Sequence, residues 1–288
     1  MAWKYLRPED LARLNSFEFA PKALAEGYLA GRHQSHRTGL STEFRDHRPY
    51  SPGDDIKSLD WRVYARTERP YLRTFEIETS TDCHILLDSS GSMGFGNPAG
   101  KLEYASYFAA ALCYLVVKNR DQVSLQIFDT RPREFFPSGS TNRHLHHLLN
   151  ALEANRPAGE TRLGESLRRS LPLVRRRGTL VIISDFLDDP GDIFEALSPW
   201  IHRGFKIHLY QVIHPDEIEL SGRGLTAFVD METGRREIAH IEHLRTAYRE
   251  AFDNHIRTLR DLATRRRIRH VLARTDRPIH HLFDGLVR

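Results

Sequence analysis

The chain has 288 residues, and its 40% of hydrophobic side chains suffices for a sizeable core in one large α/β domain or in a domain with an extension. Basic residues outnumber acidic ones by only 42 to 38, a formal net charge of +4, so the chain lacks the strong basic field typical of nucleic-acid-binding proteins. The two cysteines, Cys83 and Cys113, exclude a disulfide framework and favour a reducing, intracellular compartment.

No segment of the sequence predicts passage into or through a membrane. Residues 1–8 lack the apolar core of a signal peptide. The longest apolar run, 107–117, is far shorter than the roughly 20 residues that a spanning helix needs. We therefore expect a cytoplasmic protein without a membrane span.

Residues 1–80 are predicted to form an irregular, partly β N-terminal extension packed on the main domain. Pro8 and Pro21 suit first helical turns and predict short helices over 8–14 and 21–29, and the alternation over 71–78 predicts a strand. The segment Asp60-Trp61-Arg62 could form a contact surface for a partner, or it could fix the extension on the main domain. We favour the second interpretation, in which charge-assisted hydrogen bonds and a buried Trp61 hold the extension in place.

From Cys83 onwards, apolar strands alternate with helices. The run 179–184 is almost continuously apolar, which is typical of a central parallel strand buried on both faces. The helix predicted at 101–118 is apolar on most faces, which suits packing against a sheet. Strands are predicted over 83–87, 122–128, 134–136, 179–184, 205–213 and 269–273, helices over 101–118, 145–152, 163–174, 193–201, 241–267 and from 278, and a hairpin over 225–239.

This alternation predicts an α/β domain over residues 81–288. The expected architecture is a three-layer, doubly wound, mostly parallel sheet of the Rossmann type. In such sheets a ligand binds outside the carboxyl ends of the strands. We therefore expect the functional residues in the loops that follow the strands.

Oxygen-bearing side chains lie at that edge of the predicted sheet. Asp88, Ser90 and Ser92 alternate in the loop after the first strand, so they can point the same way. Asp185 directly follows the run 179–184, and Thr161 lies in the loop before the helix at 163. Hydroxyl and carboxylate oxygens are the ligands that a hard cation such as Mg²⁺ prefers, so these five residues predict a metal site.

With these residues in order, the chain resembles the von Willebrand factor type A (vWA) fold and its metal-ion-dependent adhesion site (MIDAS). That motif is Asp-x-Ser-x-Ser followed by a distant Thr and a distant Asp, and every element of it is present. The resemblance implies that the three hydroxyls touch the cation and that Asp88 and Asp185 act directly or through water. It also implies Mg²⁺, or alternatively Mn²⁺ or Ca²⁺, and a partner protein whose carboxylate completes the shell without catalysis.

Most of the chain also resembles the bacterial domain of unknown function 58 family. The residues that carry this resemblance are Glu43-Phe44, Arg48-Pro49-Tyr50, Gly53-Asp54-Asp55, Asp60-Trp61-Arg62-Val63-Tyr64-Ala65-Arg66, Glu78 and Asp230-Met231-Glu232-Thr233-Gly234. The family implies an adaptor that works with a MoxR-type AAA+ ATPase in protein remodelling or complex assembly.

A serine hydrolase is the main alternative. Ser90-Gly91-Ser92-Met93-Gly94 is one residue away from the Gly-x-Ser-x-Gly elbow, and Asp185 and His208 follow Ser92 in the order of a catalytic triad. Because Ser90 stands where the strained turn needs glycine, we favour the non-enzymatic binding protein.

Arginine and histidine runs offer two weaker candidates for binding sites. The clusters Arg175-Arg176-Arg177 and Arg265-Arg266-Arg267 could bind phosphate or nucleic acid, although arginines at a helix end more commonly complement its dipole. The histidines at 144–147 and 280–281 do not share one helix face and no cysteine pair accompanies them, so zinc is not expected.

Overall fold

The computed structural model describes residues 4–5, 43–51, 59–76, 82–96, 100–220 and 222–284. The chain divides into two compact units, one of residues 31–80 and one of residues 1–30 together with 81–288. The predicted helices over 8–14 and 21–29 lie outside the described residues, as do Gly53-Asp54-Asp55 and Glu78. The packing of residues 1–80 on the main domain stays a prediction.

In its described residues, 43–51 and 59–76, the smaller unit contains an antiparallel strand pair and one short helix. Strand β1 (Glu43–Pro49) pairs with β2 (Tyr71–Glu76), and α1 (Trp61–Thr67) lies between them in the chain. The Asp60 carboxylate caps α1 by accepting hydrogen bonds from the main-chain N–H groups of Arg62 (3.0 Å) and Val63 (3.2 Å). The predicted burial of Trp61 is wrong: Trp61 is 60% exposed, and none of the residues of α1 is buried.

The larger unit is built on a six-stranded sheet. The strand order is β10-β7-β6-β3-β4-β5, and all neighbours are parallel except β4 and β5. The strands are β3 (Asp82–Asp88), β4 (Gln122–Phe128), β5 (Pro132–Gly139), β6 (Thr179–Ser184), β7 (Lys206–Ile213) and β10 (Arg269–Arg274). A separate hairpin consists of β8 (Leu225–Val229) and β9 (Arg236–His240).

Helices connect these strands and cover both faces of the sheet. Those of the larger unit are α2 (Lys101–Lys118), α3 (Asn142–Ala154), α4 (Leu163–Ser170), α5 (Pro190–His202), α6 (Pro215–Glu219), α7 (Ile241–Arg265) and α8 (His281–Asp284). A single-turn 3₁₀ helix, Gly91–Gly94, follows β3.

Two apolar cores explain why the central strands are hydrophobic on both sides. Ile85 and Leu87 of β3 pack in a core with α2 and α3, whereas Leu86 packs in a second core with α4, α5 and α7. Strand β6 alternates in the same way, with Val181 in the first core and Ile182 in the second. The prediction of an α/β fold with a mostly parallel sheet and helices on both sides is confirmed.

Several element boundaries differ from the prediction for local reasons. The helix predicted to run to residue 174 ends at Ser170: Leu171 still has helical dihedral angles, but Pro172 has no main-chain N–H with which to continue the helical hydrogen bonds. The edge strand predicted over 134–136 extends over Pro132–Gly139. Helix α5 begins at Pro190 instead of Ile193, because Asp189 caps it through the main-chain N–H of Asp192.

The helices of the described part of the chain do not have the character of membrane spans. None of them is both long and apolar enough to cross a bilayer.

Candidate functional site

The predicted metal ligands lie where β3 and β6 end side by side. Leu87 pairs with Ile183, which brings the next residues, Asp88 and Ser184, together at the carboxyl edge of the sheet. The Ser184 hydroxyl donates to Asp88 Oδ2 (2.6 Å), and the main-chain N–H of Ser90 donates to Asp88 Oδ1 (2.9 Å). Both oxygens of this buried carboxylate are therefore anchored.

Hydrogen bonds continue from this anchor to the second loop. Ser90 Oγ lies 3.1 Å from Ser92 Oγ, and Ser92 Oγ donates to Asp185 Oδ2 (2.7 Å). The main-chain oxygen of Asp185 accepts a hydrogen bond from Gln211 Nε2 (3.0 Å), which fixes the loop after β6 on the neighbouring strand β7. Four of the five predicted ligands are thus connected through hydrogen bonds.

Thr161 reaches the same place on a separate loop. The main-chain N–H of Gly91 donates to Gly159 O (2.8 Å), and Ala158 N–H donates to Ser89 O (2.9 Å), so the Thr161 loop is held against the serine loop. The Thr161 hydroxyl bonds Glu232 Oε1 (3.1 Å) instead of any of the other four predicted ligands. It nevertheless lines the same cleft as Ser92 and Asp185.

A buried lysine is the main residue that the sequence reasoning missed. Lys101 Nζ donates to Asp185 Oδ2 (2.8 Å) and to Glu217 Oε1 (2.6 Å), and its residue is fully buried. Burial by itself lowers the pKa of this ammonium group, but the charges of Asp185 and Glu217 outweigh burial and raise the pKa above its usual value. The signal in the sequence was a cation in the first turn of an apolar helix, where the helix dipole disfavours it.

The charge of Asp88 is poorly accommodated by the protein alone. Burial raises the pKa of Asp88 to about 7, and the nearby negative charge of Asp185 acts in the same direction. The hydrogen bonds from Ser184 and Ser90 oppose this shift only in part. A bound cation would supply the positive charge that this buried carboxylate lacks.

The five residues fit a hard divalent cation by the chemistry of their donors. All of the side-chain donors are oxygens, three neutral hydroxyls and two carboxylates, which is the set that suits Mg²⁺. Across the described residues, no group of three or more His, Cys, Asp or Glu side chains is placed to hold a metal.

A cleft of about 280 Å³ opens from the outer side of this cluster. Its lining joins the serine loop, the two acidic loops and the turn between β8 and β9. The lining residues are Ser92, Phe95, Thr161, Asp185, Leu187, Asp188, Glu217, Asp230, Met231 and Glu232. Ligands that enter it reach the half-buried Ser92 hydroxyl, whereas Asp88 and Ser90 are enclosed beneath.

Residues 46–261 match the family described as "Protein of unknown function DUF58", which is more than half of the chain. The chain belongs to this family.

Two curated relatives of this DUF58 chain carry the name "uncharacterized protein". Rv1480 of Mycobacterium tuberculosis (strain ATCC 25618 / H37Rv) is 28% identical over 232 residues, which are 79% of this chain and 72% of the relative. YeaD of Bacillus subtilis (strain 168) is 24% identical over 168 residues, 55% of this chain and 40% of the relative. Neither relative therefore assigns an activity.

One solved structure is similar in fold. It is an aerotolerance-related membrane protein from Bacteroides fragilis NCTC 9343 with multiple mutations to serines. The TM-score is 0.50 at 16% identity, and the match covers 72% of the DUF58 chain and 96% of that protein. At this identity the likeness concerns the fold alone.

The hydrolase alternative lacks its triad geometry in the DUF58 chain. His208 pairs with Val181 within the sheet, three residues before the pair Ser184 and Gln211 that marks the carboxyl edge. At about 3.3 Å per residue, this places it roughly 10 Å below that edge. Ser92 donates to Asp185 instead, so the structure does not bring His208 to Ser92.

The arginine and histidine runs have structural partners in several cases. The Arg176 carbonyl lies 3.0 Å from His84 Nε2, and His144 Nε2 lies 2.9 Å from Val123 O. The Arg266 guanidinium lies 5.3 Å from the centre of the Phe194 ring. The first two contacts join a loop and a helix to the sheet, with Arg176 contributing its main chain and not its guanidinium. The third contact joins the end of α7 to α5.

Proposed function

We propose that this DUF58 protein is a non-enzymatic, metal-dependent protein-binding protein. Its larger unit would be a doubly wound vWA-like domain with a MIDAS formed by Asp88, Ser90, Ser92, Thr161 and Asp185. The observation that carries the proposal is the series of hydrogen bonds that runs from Asp88 through Ser90 and Ser92 to Asp185.

A divalent cation bound there supplies a Lewis-acidic position that attracts a carboxylate. The chain provides neutral hydroxyls for direct contact and keeps Asp88 in place through two hydrogen bonds. Lys101 offsets part of the charge of Asp185. Because the groups proposed to touch the cation directly are neutral hydroxyls, the bound cation stays electrophilic, which favours an acidic ligand from outside.

Two apolar side chains lie beside the polar lining of the cleft. Leu187 and Met231, which are 51% and 48% exposed, lie at its lining beside the polar residues. Side chains that surround a central contact exclude water from it, so Leu187 and Met231 would shield the contact between the cation and a partner's carboxylate. A MoxR-type AAA+ ATPase is the partner that we propose, in protein remodelling or complex assembly.

Two aspartates at opposite ends of β3 provide the test. Both Asp88 and Asp82 are buried, and burial raises the pKa of each carboxyl, but only Asp88 belongs to the proposed site. We expect Asp88→Asn to weaken Mg²⁺ binding by at least about tenfold, measured by calorimetry on the full chain, and Asp82→Asn to leave it unchanged.

The same pair of variants connects the metal to the partner. Capture of the ATPase should require Mg²⁺, survive Asp82→Asn and fail with Asp88→Asn. Equal capture by both variants, with and without a chelator, would remove the metal from the function.

A further inference from the structure

The turn between β8 and β9 places a carboxylate on one of the five proposed ligands. Glu232 Oε1 accepts a hydrogen bond from the Thr161 hydroxyl (3.1 Å) and another from the Thr161 main-chain N–H (3.2 Å). The second oxygen, Oε2, forms no hydrogen bond with the part of the chain that the structure describes. The Thr161 hydroxyl gives its hydrogen to Glu232, so its oxygen keeps lone pairs for a cation.

The main chain of the turn holds this carboxylate in position. Asp230 Oδ1 accepts hydrogen bonds from the N–H groups of Glu232 (2.8 Å) and Thr233 (3.1 Å). Gly234 N–H donates to Asp230 O (2.9 Å), and Gly234 has a φ of 71°, which glycine adopts without strain. Glu232 is therefore presented by an ordered turn.

Gly91 provides an independent sign that the turn belongs to the site. A Cβ atom on Gly91 would lie only 2.6 Å from the main-chain oxygen of Met231. The glycine between Ser90 and Ser92 thus allows the turn to pack directly on the serine loop. The turn contacts two of the three loops that carry the proposed ligands.

The charges in the cleft make this placement costly without a cation. Glu232 lines the same cleft as the carboxylates of Asp185 and Asp188. Lys101, the buried cation nearby, already bonds Asp185 and Glu217. A carboxylate that is held toward other carboxylates by its own turn suits a site that contains a positive ion.

We propose that Glu232 is the chain's own acidic ligand for this cation and that it occupies the place of a partner's carboxylate. A partner must then displace the β8–β9 turn before its acidic side chain can bind. This inference rests on the proposed function, because it assumes the cation. It adds a carboxylate to the five residues that the sequence motif names. In the free protein, Glu232 then blocks the metal position that a partner's carboxylate would occupy.

The experiment uses Mn²⁺ as the probe and water-proton relaxation as the readout. The chain is compared as wild type, as Glu232→Gln, and as the matched control Glu237→Gln on β9 of the same hairpin. In Glu232→Gln, the amide oxygen can still accept hydrogen bonds from Thr161. The amide nitrogen takes the place of Oε2, the oxygen proposed to bind the metal. We expect about one more exchangeable water on each Mn²⁺ bound to Glu232→Gln, while Glu237→Gln matches the wild type.

Acetate then probes the opened position. Removal of the Glu232 carboxylate raises the fraction of molecules in which the metal position is open to acetate. Acetate should therefore displace water from the Glu232→Gln complex at a concentration about tenfold lower than from the wild-type complex. A purely structural role in holding Thr161 predicts that Glu232→Gln behaves like wild type and that only Glu232→Ala differs.

The outcomes separate the two proposals. If the wild type binds Mn²⁺ but hydration and acetate affinity are unchanged in Glu232→Gln, the internal ligand is refuted and the metal site remains. If the wild type binds no Mn²⁺, both proposals fail.

Discussion

Lys101 shows how one side chain can combine stability with site chemistry. Its ammonium group is fully buried and contacts two carboxylates, that of Asp185 in the loop after β6 and that of Glu217 in helix α6. Removing one member of a buried ion pair leaves a desolvated charge behind, and such changes cost far more than the loss of a surface pair. Lys101 therefore holds the loop after β6 in place through its ion pair with Asp185.

Replacement of this lysine should destabilise the protein strongly. We expect Lys101→Met to lower the free energy of unfolding by about 3–5 kcal/mol in urea titrations, since Asp185 and Glu217 then lose their common partner. Lys118→Met, at the exposed end of the same helix, is the control and should change it by less than about 0.5 kcal/mol. Similar losses for the two variants would contradict this role.

At the scale of elements, α7 is a long helix that buries few of its residues. It has 25 residues, but only Ile241, Phe252, Leu259 and Ala263 are buried. Leu259 is completely buried in the core that α7 shares with α4 and α5, and His255 Nε2 lies 2.6 Å from the main-chain oxygen of Phe186, just after Asp185. The helix thus also supports the loop that carries a proposed metal ligand.

Two leucines of α7 give a matched comparison. Leu259→Ala should lower the unfolding free energy by about 2–5 kcal/mol, because it removes buried methyl groups and leaves a cavity. Leu244, in the same helix, is 42% exposed, and Leu244→Ala should cost less than about 1 kcal/mol. Chemical denaturation of both variants measures the difference, and a larger loss for Leu244→Ala would show that the packing of α7 is misassigned.

At the scale of the whole molecule, buried neutral histidines set the response to acid. Burial lowers the pKa of His84, His208 and His270 to about 4 in each case. Their ordinary value is 6.5, so the unfolded chain binds protons between about pH 6.5 and pH 4 that the folded protein does not bind. Stability contributed by these groups is complete above pH 6.5 and is lost as the pH falls toward 4.

His84 is the clearest case because both ring nitrogens have partners. Nδ1 lies 2.7 Å from Ser124 Oγ and Nε2 lies 3.0 Å from Arg176 O. When the pH falls from about 7 to about 5, the free energy of unfolding should decrease for both proteins, but by about 2 kcal/mol less for His84→Gln than for the wild type. The control variant His147→Gln, at an exposed position, should show the same decrease as the wild type. Parallel pH profiles for all three proteins, measured by urea unfolding, would show that His84 does not contribute.

The sequence by itself determined the sheet and the edge at which the proposed ligands lie. A short apolar run is a local signal, so the carboxyl ends of β3 at Asp88 and of β6 at Ser184 could be located from neighbouring residues alone. The capping of α5 by Asp189 and the stop at Pro172 are also local, and only the exact boundaries were missed.

The tertiary structure decided which charges meet. Lys101 and Asp185 are 84 residues apart and Thr161 and Glu232 are 71 apart, so no local pattern predicts their contacts. Likewise, the register of β7 against β6 sets the depth of His208, and the packing of α1 leaves Trp61 exposed. Such contacts depend on how distant segments pack, which hydrophobic periodicity does not encode.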